Sequence, residues 1–88
     1  MNAHLVHMKL NPGVTASEVE RVLDELEDWY RYRGDAWIVV SDLDAAGLAH
    51  ELERFYRPKG GAVIVAVDLT DADGWAGKEF WDWVSRHA

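Results

Sequence analysis

The chain has 88 residues and a formal net charge of −7, with 49% hydrophobic and 28% charged residues. That length suits one domain, residues 1–88, able to bury about 60% of its unfolded surface, and the balance is that of an ordinary globule. The absence of cysteine excludes disulfides and thiolate metal sites and permits a cytoplasmic setting. The acidic balance argues against a surface broadly built for phosphate backbones, so nucleic-acid binding is expected to be weak at most. Neither a signal peptide nor a membrane span is expected, since no apolar stretch approaches roughly 18 residues.

His4 to Leu10 alternates, with Val6, Met8 and Leu10 on one face and Leu5, His7 and Lys9 on the other. This is the pattern of a strand with one buried side, broken at Asn11-Pro12-Gly13. A helix start follows. Thr15 and Glu18 have capping-box spacing, and Val14 and Val19 stand where a hydrophobic staple would place them. Val19, Val22, Leu23 and Leu26 form its apolar stripe. The opposite face carries Glu18, Glu20, Asp24, Glu25, Glu27 and Asp28, countered only by Arg21. Such a face is either simply solvated or an acidic docking surface that imitates nucleic acid.

Trp29 to Asp42 places aromatic and β-branched residues on both sides of Gly34-Asp35, the composition of a hairpin with Gly34 supplying positive φ. With residues 33 and 36 flanking the turn, Tyr32 is expected opposite Trp37 and Tyr30 opposite Val39. Arg31 would then face Ile38 and Trp29 would face Val40. The alternative is that the preceding helix runs on to Gly34, because Trp29, Tyr30 and Arg33 continue its spacing. The hairpin gives a ferredoxin-like βαββαβ antiparallel sheet with two helices on one face. The longer helix gives βαβαβα.

Asp42 or Asp44 can cap a second helix with Leu48, Leu52, Phe55 and Tyr56 as its stripe, ended by Pro58 and Gly60-Gly61. Glu53 and Arg57 are spaced as an i,i+4 pair. Arg54, Arg57 and Lys59 complement the helix dipole there. Ala62 to Leu69 is nearly all apolar, as for a central strand covered on both faces or one at an interface. Trp75 to His87 places Phe80, Trp83, Val84 and His87 on one helical stripe, with Trp81 beside it. That aromatic C-terminal helix either packs across its own sheet or crosses to a second subunit.

No catalytic constellation is present. His4 and His7 point to opposite faces of a strand, and His50 and His87 are expected to have no carboxylate or histidine as a co-ligand on the same helical face. Asp68, Asp71, Asp73 and Gly74 fail the EF-hand pattern, and neither a phosphate-binding loop nor a nucleophile elbow occurs. No cofactor is expected.

Two motifs carry a resemblance. One is the aromatic hairpin Trp29-Tyr30-Arg31-Tyr32 to Trp37-Ile38-Val39-Val40. The other is Gly74-Trp75 followed by Lys78-Glu79-Phe80-Trp81-Asp82-Trp83. In these and in element order the chain resembles small SinR-like bacterial proteins, which share the ferredoxin-like fold of the small nuclease subunit of the CRISPR adaptation complex. The resemblance implies a homodimer with sheets face to face and the C-terminal segment reaching the partner. It also implies a divalent metal held by an aspartate at the end of the first strand. Here Lys9 falls about where that acid would be, and a cation cannot replace an oxygen ligand.

The sequence thus points to a small dimeric binding protein of this lineage, leaning away from enzyme activity. Its partner-facing candidates are Trp75, Phe80, Trp81 and Trp83 at the aromatic end, and Glu18, Asp24, Glu25 and Asp28 on the acidic helix. One rival is a metal-dependent nuclease using Asp42 or Asp68. Another is an acidic, phage-borne inhibitor or nucleic-acid mimic.

Overall fold

A computed structural model describes all residues, Met1–Ala88. The chain runs β1 (Asn2–Lys9), α1 (Ala16–Leu23), β2 (Asp28–Arg33), β3 (Ala36–Ser41), α2 (Ala45–Tyr56), β4 (Gly61–Ala66) and α3 (Lys78–His87). The sheet has four antiparallel strands in the order β2-β3-β1-β4. This is a ferredoxin-like α+β arrangement extended by a third helix. No helix is long and apolar enough to cross a membrane.

Local chemistry explains the element boundaries. Both bonds of the capping box form, Glu18 N–H donating to Thr15 Oγ1 and Thr15 N–H to Glu18 Oε2. Asp44 caps α2 by accepting from the Gly47 N–H at 2.8 Å. The first helix ends at Leu23 rather than running to Gly34, and Leu26 packs against the core from the turn that follows. Trp29 indole Nε1 reaches back to Asp24 at 2.8 Å, fixing the chain where it enters β2. Gly60 is required by close approach: a Cβ there would fall on the Lys9 carbonyl oxygen, and its N–H donates to Tyr56 and to Asn11 Oδ1.

The hairpin forms, but its register departs from the expected one. Arg33 pairs with Ala36 as expected, yet Arg31 pairs with Trp37, Tyr30 with Ile38 and Trp29 with Val39. Tyr32 is the extra residue of a bulge, and because side chains alternate along a strand, one extra residue reverses every face upstream of it. Trp29 and Arg31 therefore lie on the α1/α2 side, where Arg31 Nε meets Glu20 at 3.2 Å. Tyr30 turns to the other side. Nor does Gly34 adopt positive φ; only Gly13 and Gly74 do.

One sheet face carries α1 and α2. Val6, Met8, Trp37 and Val39 meet Val19, Leu23, Leu48, Leu52 and Phe55 in a closed core, all but Phe55 no more than 1% exposed. Each such side chain contributes about 1.5–3 kcal/mol relative to exposure. Of the two readings of residues 62–69, a central strand or one at an interface, the first is overturned: the segment forms the edge strand β4, and the chain turns away after Ala66. Its inward Ala62 and Ile64 pack on the core while Val63 and Val65 stay exposed.

Candidate functional site on the second face of the sheet

The opposite face is covered only in part. Trp83 and Val84 of α3 are buried with Val40 and Leu69, and Phe80, Trp81, Tyr30 and Ile38 pack around them. The aromatic rings stack at angles: Tyr30 meets Phe80 edge-on at 5.4 Å, and Phe80 meets Trp81 at 5.0 Å. α3 lies on its own sheet, above β2 and β3, and leaves β4 bare. Val63 is 61% exposed and Val65 44%. Leu5 pairs with Val65 and His7 with Val63, so these four side chains share this face, with the half-buried Leu5 at the border of the space beside α3.

A single carboxylate anchors the helix. Asp28 Oδ2 accepts from Trp83 Nε1 at 3.0 Å and from His87 Nε2 at 2.7 Å, while Oδ1 accepts from the Trp29 N–H. Partial burial pushes this carboxyl up. The hydrogen bond from His87, that from the Trp29 N–H, the charge of His87 and the Trp83 donor outweigh it and hold Asp28 below its ordinary value.

The acidic side chains of the first helix are largely engaged within the protein. Glu18 closes the capping box, Asp24 accepts from Trp29, and Glu20 Oε2 accepts from Trp37 Nε1 at 2.9 Å. With Trp83 on Asp28, three of the five tryptophans donate to carboxylates between residues 20 and 28. Tryptophan has one polar atom, and burying the ring requires a partner for it. Glu25 is exposed and makes no side-chain bond or ion pair within the chain. The spacing of Glu20, Asp24 and Asp28 was visible in sequence, but nothing there assigned them to particular indoles.

Asp42 and Asp68 both lie at the end of the sheet where β1 begins and β3 and β4 finish, whereas Lys9 ends β1 on the far side. The Asp68 carboxylate accepts from the Thr70 hydroxyl at 2.6 Å and its N–H at 2.9 Å, and these bonds hold it below its ordinary value. No group of three or more His, Asp or Glu side chains converges as a metal would require. The carboxylate near the Lys9 end is Asp35, in the hairpin turn. Its Oδ2 lies 2.9 Å from His7 Nε2, and that bond, with the charges of His7 and Arg33, keeps it ionised to lower pH than usual. No local sequence signal marks this pair, because only the register of β1 on β3 brings residues 7 and 35 together.

Between α3 and the sheet lies a cavity of about 230 Å³, walled by Tyr32, Phe80, Trp81 and Leu69, with Asp73 and Trp75 at the loop that leads into the helix. Trp75 precedes the helix and is fully exposed. Comparison with protein-family models, with characterised proteins and with solved structures gave no match to this chain.

Proposed function

We propose that this chain is a homodimeric binding protein of the SinR-like lineage that acts by holding a partner and performs no phosphodiester chemistry. The observation that carries the reading is the difference between the two sheet edges. The β2 edge has a bulge with Arg31 and Arg33, devices that keep a strand from pairing further. The β4 edge, Gly61-Ala62-Val63-Ile64-Val65-Ala66, has neither charge nor bulge. Its exposed valines adjoin Leu5 on the same face, and one such surface meets itself about a twofold axis, the commonest closed symmetry.

Light scattering during size exclusion is expected to give about twice the 10.0 kDa chain mass at micromolar concentration. Val63→Glu with Val65→Glu should return the mass to that of one chain without loss of helical signal, because both side chains are exposed. A wild type that stays monomeric at every concentration would sink the reading.

Lys9, exposed at the end of β1, bears on the chemistry: a cation stands about where the lineage places its metal-binding acid. No magnesium- or manganese-dependent cleavage of DNA or RNA is expected from purified protein. Cleavage that disappears in Asp42→Ala or Asp68→Ala would instead support the nuclease reading.

A further inference from the structure

The cavity beside α3 is lined by more aromatic side chains than the small cluster beneath the helix buries. Four of its lining residues are aromatic, Tyr32, Trp75, Phe80 and Trp81, and its one charged residue is Asp73. The rings are inclined rather than stacked: Tyr32 and Phe80 meet at 47° with centroids 5.6 Å apart, and Phe80 and Trp81 at 72°. Rings inclined in this way do not stack face on face, and the negative π-face of an aromatic ring attracts a quaternary ammonium cation.

The electrostatics point the same way. Asp73 uses Oδ1 on the Gly74 N–H, leaving Oδ2 without a protein partner. No lysine or arginine lines the cavity, and Lys78 at the start of α3 is paired with Asp82 at 2.7 Å. Glu79 stands in the first turn of that helix. The volume of about 230 Å³ lies below the roughly 300–1,000 Å³ of drug-sized ligand sites, so the occupant is small.

We propose that this cavity binds a small quaternary ammonium compound of about choline size, its methylated head against Tyr32, Phe80 and Trp81 and its charge balanced by Asp73. The exposed Trp75 indole stands at the rim, where it would add a further face.

The test is a titration of the full-length protein with choline chloride, read by tryptophan fluorescence against sodium chloride at equal ionic strength. Its uncharged isostere 3,3-dimethylbutanol serves as the control. A saturable change is expected with choline, and binding of the isostere should be at least about fivefold weaker, the factor that a cation–π contact of about 1 kcal/mol supplies. Trp75→Ala and Asp73→Asn should each weaken choline by a similar factor with unchanged circular dichroism, since both side chains are exposed. Absence of saturation, equal binding of the isostere, or insensitivity to both substitutions would overturn the proposal. So would a trimethyllysine peptide binding more than tenfold tighter than choline, which would assign the cavity to a protein tail. Mass measured by light scattering in the same samples separates failure here from failure of the dimer.

Discussion

The two faces of the sheet bury apolar surface by different means. Against α1 and α2 the sheet closes with aliphatic side chains and Trp37, and eight residues are no more than 1% exposed. Against α3 the cover is aromatic and partial, and it is tethered by the connection from Val67 to Gly77 and by the bonds to Asp28. The first face is a core in the ordinary sense, set by volume and burial. The second depends on one ionised carboxylate and a few ring contacts, so it can loosen while the first stays intact.

The largest effect should come from the first face. Leu52→Ala removes a fully buried side chain at the α2–sheet junction and is expected to cost about 2–5 kcal/mol. Chemical denaturation should show one cooperative transition moved as a whole. If probes of the two faces separated in the wild type itself, the faces would be independent folding units rather than one domain.

On the second face, Asp28→Ala leaves the Trp83 indole N–H without its acceptor in a residue only 4% exposed, a loss of about 1–3 kcal/mol. Trp83→Phe removes the donor as well as ring area and should cost less per bond broken. The expected signature is weaker near-UV circular dichroism from the aromatic cluster, with the α1/α2 core signal kept. An equal loss on both faces would show that α3 is integral to the fold, and would erase the contrast.

Much of this division was legible before the structure. The capping box at Thr15, the stripe Leu48-Leu52-Phe55 and the alternation of Val6 and Met8 are local patterns, and each formed as read. Which face received Tyr30 and which received Trp29 was not legible. That depends on the bulge at Tyr32, whose register accompanies the bond from Trp29 to Asp24, and neither is written in the alternation of the strand. The long apolar run after Gly61 was consistent with a central strand or one at an interface, because hydrophobic sequence reports a tendency to be buried and not where in the sheet the strand stands; in the chain itself β4 is an edge with Val63 and Val65 exposed. The acidic stretch was legible only as a charged face, because two of its three indole partners, Trp37 and Trp83, sit far away in sequence. The cavity could not be foreseen either, because its walls come from β1, β2, β3, α3 and the loop between β4 and α3.

Acid should distinguish the faces without mutation. Asp28 has its folded-state value below the ordinary one, so its contribution is present above about pH 3.8 and is lost as pH falls through the lower folded value. α3 is therefore expected to loosen on acidification below that point, followed by near-UV circular dichroism. Asp28→Asn should remove that part of the acid response, while the response from Asp35 and Asp68, also held low, stays. An identical acid transition in the variant would mean that Asp28 is not what ties the helix down.

The smallest effect expected is at the hairpin that feeds both faces. Had Gly34 held the turn by positive φ, any side chain there would strain it and disturb the register that sends Trp29 to one face and Tyr30 to the other. Its φ is not positive and a Cβ added there meets nothing within 4 Å, so the turn makes no demand for glycine at this position. Gly34→Ala should then change stability by no more than about 0.5 kcal/mol or raise it slightly, by restricting the unfolded chain. Gly13, at φ 85°, is the contrasting position, since its Cβ also meets nothing but the backbone conformation itself resists a side chain. Gly13→Ala should cost about 1 kcal/mol or more. Urea midpoints of the two variants side by side check this. A large loss at Gly34 with none at Gly13 would mean that the turn, rather than the bulge, sets the register of the hairpin and the facing of its aromatic residues.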